Sequence, residues 1–318
     1  MKTEEDVIAY AGITVFASVG SNLLNFINFK KYCKLSLVDI KQCYVHLKPI
    51  LTLFASSVAV MIYVYSDTTM LGLMKGDYEV GIYSVSTKVY TIVKSMLSSV
   101  IIVSIPRVSL YYGTNQTEKF NDTVQKIYDT LMVLVIPIVL GIFILSERIV
   151  VFISGKEYLR SISSLRILSI ALIFCISGWI FNQCILLPSG KEKIILKATA
   201  YSAGLNIGLN FILIPYMSEN ATAFTTVVSE AVMMIVCVYY GRKVSEVRLL
   251  NRNILTSVFS CIGMTSVCII LNKFFGGIFN IQVIFFIVLV SAIVYSVLLL
   301  LMRNEVLWNI VRKIMKRA

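Results

Sequence analysis

Residues 80–105 read VGIYSVSTKVYTIVKSMLSSVIIVSI, an apolar run that two lysines, Lys88 and Lys94, interrupt. As an α-helix the run would extend about 39 Å, more than the roughly 30 Å of a bilayer's hydrocarbon core. Lys88 would lie about 12 Å and Lys94 about 21 Å from the start of the helix at Val80. A charge at such depth costs roughly 3 kcal/mol, so it normally faces a bundle interior or a water-filled cavity. The two lysines are therefore the first candidates for function.

The composition of the whole chain is typical of an integral membrane protein. Of its 318 residues, 58% are hydrophobic and 14% are charged, and the mean hydropathy is +0.83. Soluble domains carry about 25% charged residues. Only helices and closed barrels satisfy all of their backbone polar groups in lipid. The apolar runs are about 20 residues long and lack strict alternation, which favours helices, and we predict an all-α polytopic membrane fold.

Nine apolar segments are long enough to cross a membrane, and the connections between them are short. They are residues 7–29, 49–66, 80–105, 127–146, 162–187, 194–216, 222–240, 254–271 and 282–302. The fourth contains Pro137, which a membrane helix tolerates when its neighbours satisfy the freed carbonyl. No connection is long enough to form a large soluble domain.

The distribution of positive charge predicts the orientation. Of the 29 lysines and arginines, 20 lie in residues 30–48, 106–126, 188–197, 241–252 and 303–318, and only 6 lie in the alternate loops. Because cytoplasmic loops carry the excess of positive charge, we expect the first set and the C-terminus to be cytoplasmic. The N-terminus would then lie outside. We therefore expect an odd number of helices upstream, which would make this chain the C-terminal part of a longer transporter.

The residue inventory gives no support to catalysis. The seven cysteines form no CxxC pair, and most lie in apolar runs, where free thiols pack as small hydrophobic groups. The single histidine, His46, cannot form a metal cluster, and no glycine-rich phosphate loop occurs. The net charge of +12 follows the loops, so it does not indicate nucleic acid. We expect a protein that is not an enzyme and that has no cofactor, metal or nucleic-acid partner.

On a helical wheel the third span has one polar face. Its small and polar residues recur at steps of three and four, and Thr87 and Lys94 widen the stripe; the recurring residues are Gly81, Ser84, Lys88, Thr91, Ser95 and Ser98. Such a stripe is typical of a wet lumen, and we predict that both lysines face one. Two alternatives stay open. Lys94 could extend its long stem to the inner interface, and the hydroxyl side chains could pack helices together.

Four further charged residues are candidates for the lumen. Arg166 lies a few residues into the fifth span, Asp67 near the outer end of the second and Glu230 in the middle of the seventh. Glu230 could pair with a buried lysine, tune coupling or serve helix packing, whereas Asp67 and Arg166 could instead be solvated at the interface. Arg107 follows Pro106 at the start of a predicted cytoplasmic loop, where a lipid phosphate could meet it. Since cations outnumber anions at mid-depth, we expect a cationic lumen that attracts anionic cargo.

Several motifs, in order and spacing, resemble one transporter family. They are Ser66-Asp-Thr-Thr-Met-Leu-Gly72, Glu79-Val-Gly-Ile-Tyr-Ser-Val-Ser-Thr-Lys88, Ser104-Ile-Pro-Arg107, Leu187-Pro-Ser-Gly-Lys191 and Asn206-Ile-Gly-Leu-Asn-Phe-Ile-Leu-Ile-Pro215. They resemble the second lobe of bacterial O-antigen and capsule flippases. These are the Wzx-type polysaccharide transporters of the multidrug/oligosaccharidyl-lipid/polysaccharide exporter superfamily. The resemblance covers most of residues 1–245.

The resemblance implies two six-helix lobes around a cavity that opens alternately to each side. On this plan, residues 1–29 are the last helix of the first lobe, 30–48 a cytoplasmic amphipathic linker between lobes and 49–240 the second lobe. Residues 241–302 add two transmembrane helices, and residues 303–318 form a basic cytoplasmic tail. Most of the first lobe is then a missing partner.

The resemblance also implies a cargo and a location. The protein would flip an undecaprenyl-diphosphate-linked oligosaccharide from the cytoplasmic to the periplasmic leaflet of the bacterial inner membrane. Lys88, Lys94, Arg166 and Arg107 would bind the substrate, and Asp67, Glu230, Ser84, Thr87 and Thr91 would be polar or coupling residues. The bilayer, a polysaccharide polymerase and a chain-length regulator are the expected partners.

The sequence offers three alternative functions. A cation-coupled multidrug exporter of the same superfamily would need an acidic lumen. A non-transporting scaffold for polysaccharide assembly would need no lumen at all. A membrane polymerase or other glycosyl enzyme would usually need a long catalytic loop, and the predicted outer loops here reach at most 15 residues.

Overall fold

The computed structural model describes residues 65–315, together with residues 12–13, 15–17, 19–20 and 22–23, which are all helical. Most of the predicted spans 7–29 and 49–66, and the whole of the predicted linker 30–48, lie outside the described residues. Residues 65–315 fall in one compact unit, to which the following description applies.

The described part of this unit is helical throughout, and no strand occurs in it. The helices are α1 (65–75), α2 (Asp77–Gly113), α3 (Thr117–Ser154), α4 (Ser161–Ile180), α5 (Glu192–Met217), α6 (Glu219–Gly241), α7 (Arg252–Phe274), α8 (Ile281–Leu301) and α9 (Glu305–Met315). A 3₁₀ turn, Lys156–Tyr158, precedes α4, and a π-helical turn, Phe181–Leu186, extends it. The prediction of an all-α fold is confirmed.

Six helices within the described residues are long and apolar enough to cross a membrane: α2, α3, α4 with its π turn, α6, α7 and α8. Each of the seven predicted spans from 80–105 to 282–302 matches one continuous helical segment, and only residues 187 and 302 lie just past a helix end. The span 194–216 lies in α5, which is 26 residues long but is not among the six. The number of nine spans therefore stays a prediction, whereas the multi-pass character is clear.

Several predicted loops are wrong at least in part, because the helices continue into them. Residues 67–79 were expected to form an outer loop, yet they are helical except at Gly76. The φ of Gly76, +94°, interrupts the helix between α1 and α2. Residues 106–126 were expected to form a cytoplasmic loop, yet α2 continues past Pro106 to Gly113. Proline removes one backbone hydrogen bond, but Val108 is fully buried, and this packing outweighs the loss.

The helix α4 lies at the centre of the bundle. It contacts α2, α3 and α6, and 67% of its most apolar stretch is buried, the highest share of the six spans. Gly178 allows the close contact with α6, because a Cβ atom there would lie 3.2 Å from the Cα atom of Met234. Small residues at helix crossings are typical of membrane bundles. The packing of α4 therefore depends on where its small residues occur.

The pair α7–α8 packs on α3 through separate, smaller apolar clusters. The hydroxyl of Tyr295 donates to the carbonyl of Val133 at 2.6 Å. Arg148 of α3 is 4% exposed and donates to the carbonyls of Asn272, Phe275 and Ile278, which end α7 and form the next turn. One guanidinium thus holds the α7–α8 turn on the end of α3.

The N-terminal ends of α2 and α6 are joined by an ion cluster. Arg160, just before α4, donates to both carboxylate oxygens of Glu79 at 3.0 and 3.1 Å and to Glu219 at 3.0 Å. The hydrogen bonds to Glu79 raise the pKa of the Arg160 guanidinium above its ordinary value, and the charge of Glu219 adds to the effect. Arg160 stays charged at any physiological pH, so it links three helices at this end.

Candidate functional site

A polar cavity of 410 Å³ opens among α1, α2, α4, α5 and α6. Most of its lining residues carry hydroxyl, amide or charged groups. They are Tyr65, Asp67, Thr68, Tyr83, Thr87, Tyr90, Thr91, Lys94, Leu168, Asn206, Thr226, Ser229 and Glu230. We call this space the central cavity. Five of the nine predicted site residues line it: Asp67, Thr87, Thr91, Lys94 and Glu230.

Lys94 and Glu230 form an ion pair across the central cavity, from α2 to α6. Their Nζ and Oε1 atoms are 3.3 Å apart, and their side chains are 30% and 21% exposed. The Tyr90 hydroxyl donates to the same oxygen at 3.4 Å, and the Lys94 ammonium lies 5.5 and 5.8 Å from the ring centres of Tyr90 and Trp179. The aromatic faces add a cation–π attraction. The lysine is therefore stabilised inside the bundle by a counter-ion and two rings rather than by extension to the interface.

Asp67 is held by a hydrogen-bond network that joins α1, α5 and α6. One carboxylate oxygen accepts from the Asn210 amide at 2.7 Å, and the other accepts from the Thr226 hydroxyl at 2.9 Å. Asn210 in turn donates to Asn206 at 3.0 Å and accepts from Thr225 at 2.7 Å. A carboxylate whose neutral donors lie on two other helices can exchange a proton or a cation, and such an exchange would alter the contacts among all three helices.

The threonines of α2 present acceptor atoms to the central cavity. The Thr87 hydroxyl donates to backbone carbonyls of its own helix, Tyr83 at 3.3 Å and Ser84 at 3.1 Å. Its proton is thus directed at the backbone, and its lone pairs are left for a ligand. Thr91 lies one turn further along the same wall.

Lys88 and Ser84 lie outside the lining of the central cavity. Both are exposed, and Ser84 donates to the carbonyl of Val80 within its own helix. Lys88 makes no hydrogen bond or ion pair with any residue that the structure describes. Six residues separate it from Lys94, which turns the two side chains about 120° apart. Lys94 faces α6, whereas Lys88 is exposed on another side of α2 and does not line the central cavity. That both lysines face one lumen therefore stays a prediction.

The two arginines proposed for the lumen also lie elsewhere. Arg166 donates to the Phe143 carbonyl at 3.2 Å and the Ser146 hydroxyl at 2.8 Å, so it joins α4 to α3. Arg107 lies in the last part of α2, not in a loop, and donates to the Tyr111 hydroxyl at 3.1 Å. Neither lines the central cavity, and their role in substrate binding stays a prediction.

The charge of the lining differs from the sequence-based expectation. The described residues of the central cavity include one lysine and two carboxylates, whereas a cationic excess was expected. The difference arises because Lys88, Arg107 and Arg166 point elsewhere. The electrostatic sign of the complete lumen depends also on the exposed face of α2, which carries Lys88.

Sequence reasoning missed several members of the site. Tyr90, Trp179, Asn210 and Thr226 contact the two central carboxylates or the lysine. A usable signal existed for α5: Asn206 and Asn210 are four residues apart in its otherwise apolar stretch 203–215, so both face one side. No comparable signal marks the aromatic residues, since tyrosine and tryptophan are common in membrane helices.

Both the sequence and the fold are similar to those of known proteins. A family described as polysaccharide biosynthesis protein matches residues 7–163. Capsular polysaccharide biosynthesis protein CapF of Staphylococcus aureus is 26% identical over 170 residues, which are 53% of this chain and 42% of CapF. A putative O-antigen transporter of Shigella dysenteriae is 23% identical over 239 residues, 74% of this chain and 59% of that protein.

A third relative is archaeal. The probable low-salt glycan biosynthesis flippase Agl15 of Haloferax volcanii is 26% identical over 185 residues, 58% of this chain and 39% of Agl15. The chain thus spans about half the length of these relatives. Two of the three are named as a transporter or a flippase, which fits a non-enzymatic protein.

The fold is similar to that of a solved flippase. The lipid II flippase MurJ, in an inward closed conformation, matches with a TM-score of 0.69 at 17% identity over 91% of this chain and 61% of MurJ. The chain therefore has a MurJ-like fold. Together with the sequence relatives, it confirms the resemblance to Wzx-type polysaccharide transporters.

Proposed function

We propose that this chain forms part of a flippase that moves a lipid-linked oligosaccharide across the membrane by alternating access. The cargo would be an undecaprenyl-diphosphate-linked repeat unit of O-antigen or capsule, carried from the cytoplasmic to the periplasmic leaflet. The observation that carries the proposal is the central cavity: a polar space inside a bundle of membrane helices with a flippase fold. A hydrophilic headgroup needs such a space to cross hydrocarbon. The names of the O-antigen transporter and of Agl15 support the same cargo class.

The setting follows from the charge pattern. The bacterial inner membrane, with the C-terminus in the cytoplasm, agrees with the excess of lysine and arginine at one end of the bundle. A first lobe would complete the cavity wall on the exposed face of α2. The polymerase and the chain-length regulator of the same polysaccharide would be its assembly partners.

The ion pair suggests how an anionic cargo is held and released. Glu230 is the counter-ion of Lys94 in the central cavity, so this lysine is not left unpaired in the bundle. A diphosphate that enters would replace Glu230 beside the lysine, and the ion pair would form again as the cargo leaves. Because the Glu230 carboxylate and the diphosphate compete for Lys94, the affinity for cargo stays moderate, which transport requires. Lys88, on the adjacent exposed face, would add a second weak contact.

Asp67 is our candidate for energy coupling. Its carboxylate joins α1 to α5 and α6 through Asn210 and Thr226. Binding of a proton or a monovalent cation there would change these contacts and bias the bundle toward one conformation. The Asp67→Asn variant is expected to fold and to lose transport driven by an ion gradient.

Complementation tests the binding role of the lysines. In a strain deleted for the protein, Lys88→Gln with Lys94→Gln should lower surface polysaccharide at least tenfold, and Lys94→Gln alone should account for most of the loss. Lys273→Gln removes an exposed lysine at the end of α7 and should have no effect. Wild-type polysaccharide from the double variant, at equal protein level in the membrane, would sink the proposal.

A cation-coupled exporter is a second candidate, favoured by one observation: Asp67 and Glu230 both line the central cavity. Such carboxylates suit a cationic drug. Expression of the chain should then raise efflux of an organic cation, and Glu230→Gln should abolish that efflux while surface polysaccharide stays normal. The flippase predicts the opposite pair of results.

A further inference from the structure

A second polar pocket, separate from the central cavity, lies at the end of the bundle where α2 ends and α3 begins. Its volume is 380 Å³, and it shares no lining residue with the central cavity. Its walls come from three turns: α2–α3, α4–α5 and the turn after α6. The lining residues are Tyr111, Tyr112, Asn115, Thr117, Phe120, Lys191, Lys243 and Val244. We call it the end pocket.

The end pocket carries positive charge without a counter-ion. Lys191 and Lys243 line it, no carboxylate does, and neither lysine forms an ion pair with any residue in the part of the chain that the structure describes. The Lys243 ammonium lies 4.4 Å from the ring centre of Tyr239 and 3.4 Å from its hydroxyl. The aromatic contact orients this cation and leaves N–H donors for a ligand.

The walls also offer neutral donors and aromatic surface. The Tyr111 hydroxyl accepts from the Arg107 guanidinium at 3.1 Å, so its own proton is free to donate and a third cation lies beside the pocket. Tyr112 and Phe120 pack with ring centres 5.3 Å apart and form an aromatic side of the pocket. Ammonium and phenol groups suit a phosphate, and an aromatic wall suits the carbon face of a glycerol or sugar unit.

We infer that the end pocket binds the phosphate-bearing headgroup of a lipid. It lies at the end of the membrane-spanning helices that carries the excess of lysine and arginine, where headgroups of the inner leaflet would be found. A phospholipid such as phosphatidylglycerol and a polyprenyl diphosphate share this chemistry. The inference goes beyond the flippase itself, because alternating access around the central cavity requires no second site.

Binding of fluorescent lipids to the detergent-purified full chain tests the inference. The probes are phosphatidylglycerol, a polyprenyl diphosphate and, as a reference, phosphatidylcholine, whose phosphate is paired with its own choline. Lys191→Gln with Lys243→Gln should weaken binding of at least one anionic probe tenfold or more. The probe that responds identifies the source of the headgroup. Thermal unfolding should be unchanged, because neither lysine has a charged partner to lose among the described residues.

The matched control is Lys193→Gln with Lys197→Gln. It removes the same charge from the exposed surface of α5, next to the end pocket but outside its lining. An equal loss in the two double variants, no loss in either, or no binding of an anionic lipid over phosphatidylcholine by the unaltered chain would overturn the inference. Lipid binding is read without transport, so a failure of the flippase proposal would leave this result standing.

Discussion

At the scale of single residues, the Lys94–Glu230 pair shows how a membrane bundle accommodates charge. Sequence alone predicted a functional lysine from its depth and offered pairing with Glu230 as one alternative. The direction of the Lys94 side chain could not be predicted, because a helical wheel does not show which part of a broad polar stripe contacts α6. Lys88 and Lys94 are both costly in lipid, yet only Lys94 has its counter-ion within the described bundle.

The pair makes a prediction about stability. Glu230→Gln should destabilise the protein by about 2 kcal/mol, because Lys94 would keep its charge and lose its charge-assisted hydrogen bond. Adding Lys94→Gln to that variant should recover part of the loss, since the two effects are coupled. Thermal unfolding in detergent measures both. Asp122→Asn is the control: Asp122 pairs with Lys126, but both side chains are at least 70% exposed, so a change of under about 0.5 kcal/mol is expected. Equal losses at Glu230 and Asp122 would contradict this account.

At the scale of helices, the sequence predicted the positions of the helices better than the residues at which they begin and end. The apolar runs predicted the middle of each span, but α2 and α3 extend well beyond their apolar parts, to 37 and 38 residues. Both helices continue beyond their apolar runs because scattered apolar residues there, such as Val108 and Phe120, are buried against neighbouring helices. The π turn Phe181–Leu186 had no signal in the sequence. There Phe181 is fully buried against Gly241, where a Cβ atom would lie only 2.6 Å from the Phe181 ring.

The contact of α4 with α6 gives a prediction at this scale. Gly178→Leu should destabilise the bundle by about 2 kcal/mol or more, because the side chain would overlap the backbone at Met234 and push α6 away. The central cavity would widen, since Trp179 and Glu230 lie on these two helices. Gly204→Leu is the matched control: it adds the same side chain to an exposed helical glycine with no atom within 4 Å. The measurement is the unfolding temperature of the two variants. Similar values would show that the close contact at Gly178 does not determine the stability of the bundle.

At the scale of the molecule, the fold class and the flippase resemblance could be predicted from the sequence, whereas the composition of the central cavity could be predicted only in part. Hydropathy and motif order are properties of the chain itself. The cavity is formed by side chains from five helices, and its charge depends on rotations that motifs do not encode. Arg166 illustrates this: its depth suggested a lumen, but the carbonyl of Phe143 and the hydroxyl of Ser146 bind it at the α3–α4 interface.

Orientation is the remaining property of the whole molecule that the charge pattern predicts, and α7 offers a test with matched ends. Residues 241–252 before it contain four lysines and arginines, and residues 272–281 after it contain one. Leu250 and Gly277 are both exposed in these turns. In intact spheroplasts, an antibody should bind an epitope inserted after Gly277. An epitope inserted after Leu250 should be bound only when the membrane has been permeabilised. The reverse pattern would place the end pocket outside the cell, away from inner-leaflet headgroups, and would invert the direction proposed for transport.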